Sequence, residues 1–336
     1  MRVCLLTTQD LDADPFPEDD WPCDPRPFLP DAEWTLTVLQ GETSVEQVTR
    51  RIEEGFDLFF NLCDGAEDED DVPGIEVVQT LEDAAVPFTG ATSEFYEPTR
   101  EQMKDACRRE GIATPRHLFA ATEGDVERAA ETLRFPLFVK HYSSHASIDL
   151  SRVSRCVTPA GLRRQARKIM SRHGRALIEE YVDGTECTVL VAENHLDPDD
   201  PITYTPIQYR FPDGEHFKHA DLKWVDFDGL SSFPVEDPRL ADELREMSAR
   251  FFVALDGASF GRCDIRVDRD GRPFMLEINP NCGVYYPPDE PGSADICLAH
   301  DPAGHTGFTR QLVEAAFRRH ELARGTRRIS PLSATG

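Results

Sequence analysis

The side chains most suited to chemistry are four polar residues in two strand-like stretches on either side of Asp270-Gly271. They are Arg262, Asp264, Glu277 and Asn279. An Asp-Gly dipeptide between strand-like stretches favours a β-hairpin with a two-residue type I′ turn. In that register Asp264 lies opposite Glu277, and all four side chains share one face of the ribbon. The sequence therefore predicts a ribbon with one polar and largely acidic face.

The two carboxylates of this face would repel each other unless a cation lay between them. Mg²⁺ takes oxygen ligands and is often held by one or two protein carboxylates together with nucleotide phosphates. We therefore predict a magnesium site formed by Asp264, Glu277 and Asn279, with Mn²⁺ as an alternative metal. The other interpretation is an exposed acidic ribbon on an acidic protein. The opposite face carries apolar residues that we expect in a core: Cys263, Ile265, Val267, Leu276 and Ile278.

The composition limits the classes of protein to which the chain can belong. Its 336 residues are 40% hydrophobic, which favours a globular protein with two or three domains. The formal net charge of −26 disfavours binding to nucleic acid. We find no signal peptide and no apolar run of the roughly 18 residues that a membrane span needs. The nine cysteines form no C-x-x-C pair, so we expect no disulfides, no zinc finger and a cytoplasmic location.

The elements that must position the hairpin begin with an alternation of strands and helices over residues 1–92. Strands are predicted at 3–7, 34–39, 56–62 and just before Gly90. Helices are predicted at 44–54, where Gly55 ends the helix, and at 72–85. Such alternation predicts a parallel sheet covered by helices. The acidic, proline-rich residues 11–30 are predicted to form a loop or a lid.

A second set of elements follows from residue 98 onward. Helices are predicted at about 98–110, up to 133, and at 160–172, 238–255 and 308–324. Strands are predicted after residue 115 and at 135–140, 152–157, 176–181, 187–192 and in the hairpin over 261–279. Residues between 193 and 237 are interpreted as polar loops.

Seven motifs occur along the chain in an order that resembles one protein superfamily. They are Phe60-Asn61-Leu62 with Asp64-Gly65, and the segments 87–90, 111–115, 138–140, 179–186, 262–264 and 276–283. This order resembles the ATP-grasp superfamily, and within it the D-alanine–D-alanine ligases. The resemblance implies an α/β and α+β fold in which an N-terminal parallel-sheet domain precedes two α+β units that enclose ATP. The implied domains are residues 1–95, 96–183 and 184–336, and the family also suggests a homodimer.

The resemblance implies roles for residues around the phosphates of ATP. Lys140 matches a lysine that contacts the phosphates, whereas a surface lysine would be the plain alternative. Arg100 stands where the family has a second lysine, and Lys104 follows one helical turn later. Ser147 matches a serine of the lid over the phosphates, although this loop lacks the family's glycines. The lysine near the γ-phosphate is matched by Lys223, with Lys218 as the alternative.

Other matched residues are expected around adenine, ribose and the reacting carbon. The adenine-binding linker is matched by Glu179, Glu180, Tyr181 and Val182. Glu179 is expected to accept a hydrogen bond from the adenine amino group, and Glu186 to hold the ribose hydroxyls. The alternative for both is an ordinary exposed glutamate. Leu276 is expected in the floor under adenine unless it belongs to the core, and Arg262 is expected to stabilise an oxyanion.

These roles together imply an ATP-dependent carboxylate–amine ligase. The carboxylate attacks the γ-phosphate to give an acyl phosphate, and an amine then attacks the acyl carbon, so that ADP and phosphate are released. The mechanism needs no nucleophilic side chain, so Cys282 is not expected to act covalently. The expected partners are small amino-acid or peptide substrates, with neither nucleic acid nor a membrane.

The segments that would choose the substrates depart from the family. Thr7–Asp12 replaces a Gly-Gly-x-Ser-x-Glu element, and Gly283–Pro288 replaces a small loop with aromatic residues. We therefore expect an amino acid or peptide other than D-alanine. A true D-alanine–D-alanine ligase and a nucleotide-binding regulatory protein that has lost activity are the alternatives.

Overall fold

The N-terminal part of the chain folds around a three-stranded parallel sheet. A computed structural model describes residues 1–17, 20–66, 71–142, 150–212, 214–215, 217 and 230–329. The sheet has the order β2–β1–β3, from β1 (Arg2–Thr7), β2 (Glu33–Val38) and β3 (Leu58–Asn61). Helices α1 (Ser44–Glu54) and α2 (Ile75–Asp83) belong to the same part of the chain. The predicted parallel sheet is confirmed, although the strand expected before Gly90 is reduced to one bridge between Phe59 and Phe88.

The central part of the chain folds around a four-stranded antiparallel sheet of order β4–β7–β5–β6. Its elements are α3 (Arg100–Glu110), β4 (His117–Ala120), α4 (Glu123–Thr132), β5 (Leu137–His141), β6 (Arg155–Cys156), α5 (Pro159–His173) and β7 (Ala176–Glu180). Leu137 and Val139 of β5 pack with Ile178 of β7 in one core cluster. Because side chains alternate along a strand, Lys140 and Glu179 lie on the other face of this sheet.

The remaining residues fold around a larger sheet of order β11–β10–β8–β12–β13, with β9 paired to β8. Its elements are β8 (Gly184–Ala192), β9 (Ile202–Thr203), β10 (Ile207–Arg210), β11 (Ser231–Pro234), α6 (Pro238–Ala254), β12 (Phe260–Asp268), β13 (Pro273–Pro280), α7 (Ser293–Ala299) and α8 (Gly304–Ile329). The interpretation of residues 193–237 as loops was wrong for β9, β10 and β11. These strands have two to four residues, too few for an alternating pattern to stand out.

The hairpin between β12 and β13 does not have the predicted two-residue turn. The Asp268 N–H donates to the Arg272 carbonyl at 2.9 Å, so three residues form the loop. Gly271 adopts a φ of 81° there, which a residue without a Cβ tolerates best. A β-bulge after Asp264 then adds one residue to β13, and Asp264 lies opposite Glu277 as predicted. The longer loop and the bulge shift the strand register in opposite directions, so the pairing at the polar face is the predicted one.

The bulge also moves one side chain that the sequence places in the core. Met275 and Ile278 both belong to the main core cluster, although residues three positions apart in a regular strand would point to opposite faces. Leu276 therefore leaves the core face, and its assignment to the core was wrong. It is half-buried on the side of Glu277. In the part of the chain that the structure describes, no helix combines the length and apolar character needed to cross a bilayer.

Candidate active site

A buried carboxylate between two lysines forms the centre of the candidate site. Lys140 Nζ lies 2.8 Å from Glu179 Oε1, and Lys104 Nζ lies 2.9 Å from Glu179 Oε2. The exposed fractions are 4% for Lys140 and 3% for both Lys104 and Glu179. Charges so deeply buried are tolerated when they are paired, so the three side chains must be considered as one unit.

Local structure explains how these side chains meet. Lys140 and Glu179 lie on neighbouring antiparallel strands, with Phe138 paired to Glu179 and Lys140 paired to Leu177. Diagonal neighbours of this kind share a face and lie within reach of long side chains. Lys104 comes from α3, whose first turn is fixed by a capping box between Thr99 and Gln102.

Arg100, one turn before Lys104 on α3, extends the cluster to the hairpin. Its Nη2 and Nε atoms donate to Glu277 Oε2 at 2.9 and 3.1 Å, and Nη1 donates to the His141 carbonyl at 2.8 Å. Lys140 Nζ also lies 3.7 Å from Glu277 Oε2. We call Arg100, Lys104, Lys140, Glu179 and Glu277 the buried charge cluster. Its three cations and two carboxylates leave one positive charge unbalanced, within a chain of net charge −26.

The cluster keeps its carboxylates ionised. Burial alone would raise the pKa of Glu179, but Lys104 and Lys140 outweigh it and lower the pKa to about 2. Burial would also raise the pKa of Glu277, but Arg100 and Lys140 outweigh this effect and lower the pKa of the carboxyl. The pKa of Lys104 is lowered mainly because burial disfavours its charged form. Both acids are therefore available as acceptors at neutral pH.

The predicted metal-binding face is assembled as the sequence indicates. Asp264 lies opposite Glu277, and Asn279 Nδ2 donates to Asp264 Oδ2 at 3.0 Å. Arg262 donates to Asp264 from Nε and Nη2 at 3.1 and 2.9 Å. Although burial opposes the charged form of Arg262, the Asp264 carboxylate raises the pKa of its guanidinium well above the ordinary value. In this arrangement Arg100 neutralises Glu277 and Arg262 neutralises Asp264.

These donors fit a divalent cation that also binds phosphates. Arg100 and Lys140 both approach Glu277 at the same oxygen, Oε2. Over the same residues, no group of three or more His, Cys, Asp or Glu side chains could hold a metal. Two carboxylates and an amide match Mg²⁺, which keeps several waters and takes its remaining ligands from substrate phosphates.

The linker after β7 presents one acceptor oxygen and one N–H donor with unused hydrogen-bonding capacity. Lys104 directs a hydrogen bond to the Thr114 hydroxyl at 2.6 Å, and Glu179 Oε2 accepts no well-aligned hydrogen bond from any described residue. The Val182 N–H likewise finds no acceptor in the described ranges, whereas the Tyr181 N–H donates to the Pro136 carbonyl at 2.9 Å. A carboxylate oxygen and an N–H three residues apart match the amino group and neighbouring ring nitrogen of adenine.

Other predicted nucleotide residues meet different partners. The Glu180 side chain points away from Glu179 and pairs with Arg116 and Arg134 at 3.1 and 2.9 Å. Glu186 lies 3.3 Å from Arg266 Nη1, and Arg266 is buried. Arg266 also donates to the Val182 carbonyl at 3.1 Å, so it holds the linker.

Arg266 was missed in the sequence, although strand alternation from Asp264 would have placed it on the same face. Phe138, Tyr181 and Phe217 form an aromatic group beside the linker, with ring centroids 4.9 to 6.4 Å apart. Ser147, Lys218 and Lys223 lie outside the described residues, so their predicted roles are unchanged.

A second surface near the hairpin is formed by two loops, residues 20–29 and 281–292, which we call the substrate wall. Gln9 holds the first loop: its side-chain Nε2 donates to the Trp21 carbonyl at 2.9 Å, and its Oε1 accepts from the Cys23 N–H at 3.0 Å. The Asp24 N–H donates to the Tyr285 carbonyl of the second loop at 3.2 Å. The two loops are thus tied to each other across the molecule.

Tyr286 fills the space inside this wall. A Cβ built on Gly283 would lie 2.6 Å from the Tyr286 hydroxyl, so the ring folds back over Gly283 and would have to move to admit a side chain there. Cys282 is buried, and burial raises the pKa of its thiol to about 12, so it is not a thiolate nucleophile at neutral pH.

Sequence comparisons identify relatives with the same organisation. Residues 110–286 match the family described as D-ala D-ala ligase C-terminus. The Uncharacterized protein y4sG of Sinorhizobium fredii is 30% identical over 277 residues, which cover 78% of this chain and 75% of the relative. The D-alanine–D-alanine ligase of Pseudomonas fluorescens is 28% identical over 262 residues, which cover 74% and 75%.

Solved structures share the fold over nearly the whole chain. The D-alanine–D-alanine ligase of Coxiella burnetii has a TM-score of 0.68 at 14% identity, covering 98% of this chain and 97% of that one. The D-alanine–D-alanine ligase of Bacillus anthracis complexed with ATP has a TM-score of 0.66 at 15% identity, covering 96% and 99%. The predicted fold class is confirmed. The chain belongs to the D-alanine–D-alanine ligase family of the ATP-grasp superfamily, a family of ADP-forming carbon–nitrogen ligases.

Proposed function

We propose that this protein joins an amino acid or peptide carboxylate to an amine through an acyl phosphate, with release of ADP and phosphate. The observation that carries the proposal is the unbalanced positive charge of the buried charge cluster in a chain of net charge −26. A buried surplus of positive charge is unfavourable unless an anion binds there. The polyphosphate of ATP is such an anion.

The nucleotide is oriented by polar groups of the linker and of strand β8. Glu179 Oε2 and the Val182 N–H receive the adenine edge, and Glu186 holds the ribose beside Arg266. Lys140, which is shared between Glu179 and Glu277, turns to the phosphates together with Arg100. Ser147 and Lys223 complete the phosphate contacts in this proposal. Asp264, Glu277 and Asn279 would hold Mg²⁺, which neutralises phosphate charge when bound.

Arg262 acts on the reacting carbon. Its guanidinium is fixed by two hydrogen bonds to Asp264 and is fully charged at neutral pH. A cation held rigidly beside the acyl carbon stabilises the oxyanion that develops when the amine attacks. Buried Cys282 takes no covalent part.

We propose a substrate other than D-alanine because the substrate wall is crowded. Tyr286 lies over Gly283, and Tyr285 and Asn281 have φ values of 72° and 48°, which non-glycine residues rarely adopt. Strained loop residues concentrate at functional sites, where the strain is part of how a site is shaped. The homodimer and the cytoplasmic location suggested by the sequence remain part of this proposal.

The second candidate is D-alanyl-D-alanine synthesis, which the name of the Pseudomonas fluorescens relative favours. The two candidates differ in what drives ADP release. The purified protein is incubated with ATP, Mg²⁺ and single L- and D-amino acids and dipeptides, and products are identified by mass spectrometry. Robust D-alanyl-D-alanine formation with every other substrate inert would overturn our proposal. ATP binding without any acid- or amine-dependent ADP release would indicate a regulatory protein instead.

A further inference from the structure

Glu179 has one more cation than a single carboxylate needs. The Glu179 Oε1 atom faces Lys140 at 2.8 Å, and the Oε2 atom faces Lys104 at 2.9 Å. Bringing a second lysine into the interior costs free energy, because its charge is removed from water. A fold that keeps both lysines therefore gains something from the second one.

The two lysines are held differently. Lys104 donates to the Thr114 hydroxyl at 2.6 Å, and Thr114 in turn donates to the Met275 carbonyl at 2.8 Å. These two hydrogen bonds connect α3 to the bulged part of β13 and fix Lys104 in place. Lys140 is instead shared between Glu179 at 2.8 Å and Glu277 at 3.7 Å. Lys104 is thus anchored by a group other than Glu179, whereas Lys140 is shared between two carboxylates.

We infer that Lys104 is a positioning residue that keeps Glu179 a charged acceptor for the adenine amino group while Lys140 moves to the phosphates. The inference rests on the proposed function, since it takes Glu179 as the adenine acceptor. Without Lys104, a departing Lys140 leaves a buried carboxylate unpaired. Glu179 then takes up a proton, because burial without a paired cation favours the neutral form of a carboxyl group. A protonated Glu179 binds ATP more weakly and no longer discriminates against a base that presents an acceptor.

The preference of the enzyme for ATP over ITP distinguishes a positioning role of Lys104 from a purely structural role. ITP carries a 6-oxo group where ATP has an amino group, so an ionised Glu179 repels it, whereas a protonated Glu179 can donate to it. For Lys104→Met we expect kcat/KM with ATP to fall by about tenfold or more and the ATP-to-ITP preference to fall by about fivefold. Lys104→Arg, which keeps a cation, should retain the preference. Lys168→Met on α5 is the matched control and should change neither quantity.

A double-mutant cycle tests the same inference without turnover. Glu179→Gln, Lys104→Met and the double variant are compared by denaturant unfolding and by equilibrium binding of ADP. If Lys104 pairs with Glu179, the two side chains are energetically coupled, and the double variant loses less stability than the sum of the losses in the two single variants.

Additive losses of stability, or an equal loss of activity with ATP and ITP in Lys104→Met, would overturn the inference. An unchanged Lys104→Met protein would overturn it as well. These outcomes differ from failure of the proposed function, in which the unaltered protein releases no ADP with any acid and amine, because the unfolding cycle does not depend on activity.

Discussion

The buried charge cluster and the substrate wall are built from different kinds of structure. The cluster takes its side chains from strands β5, β7 and β13 and from the first turns of α3, where backbone hydrogen bonds fix each position. The wall is formed by loops tied by single contacts such as those of Gln9, and it contains the strained residues Asn281 and Tyr285. Loops vary more easily than the elements that they connect. In our proposal, activation of the carboxylate therefore belongs to the shared fold, whereas substrate choice belongs to loops particular to this chain.

The strongest test of this contrast is Glu277→Gln in the cluster. We expect amine-dependent ADP release to fall by about a hundredfold or more, because the variant loses one of the two carboxylates that we propose as metal ligands. Glu180→Gln is the matched control, since Glu180 points away from the cluster toward Arg116 and Arg134. Coupled-enzyme measurement of ADP release decides the outcome. Normal turnover of the Glu277→Gln protein would contradict the metal assignment.

The next largest effect is expected from Arg262→Lys, at the boundary between the two regions. Lysine keeps the charge but loses the fork that holds two oxygens of Asp264, so the cation is no longer fixed. We expect kcat to fall by about a hundredfold with a nearly unchanged KM for ATP. Steady-state kinetics with saturating acid and amine measure both constants. A large rise in KM for ATP would instead make Arg262 part of nucleotide binding.

A change in the substrate wall should leave nucleotide binding alone. Tyr286→Ala removes the ring that covers Gly283, so we expect larger amines to gain about tenfold in kcat/KM relative to small ones. The KM for ATP should stay within about twofold of the original value, because strands rather than this loop hold the nucleotide. Competition between two amines, followed by mass spectrometry, reports the ratio. A change in KM for ATP alone would contradict the separation of the two regions.

The smallest expected effect concerns stability at acidic pH. The pKa of Glu179 is about 2 in the folded protein, against an ordinary value of 4.5, so the folded state binds this proton more weakly than the unfolded chain. Its contribution to stability is therefore complete above the ordinary value and is lost as the pH falls from 4.5 toward 2. Denaturant unfolding across this range should show a shallower fall for Glu179→Gln than for the original protein. Parallel curves would contradict the assigned role of the carboxylate.

Much of the fold can be predicted from local patterns in the sequence. The helix over Ser44–Glu54 is bounded as expected, because Gly55 adopts a φ of 73° where the helix stops. The alternation of strands and helices gave the parallel sheet, and the pairing of Asp264 with Glu277 was expected from strand parity. Strands as short as β9 carry no such pattern and were missed.

The sequence by itself determined which chemical groups are present and on which face of each element they lie, because helix and strand periodicity are local properties. Only the tertiary structure decided their partners. Arg100 and Glu277 are 177 residues apart, yet they form a buried pair, and Glu179 receives two lysines from different elements. The turn of the hairpin is one residue longer than the sequence predicts, and the bulge after Asp264 restores the predicted pairing with Glu277. Such pairings depend on how sheets and helices pack, and because burial strengthens them, packing decided which charges act together.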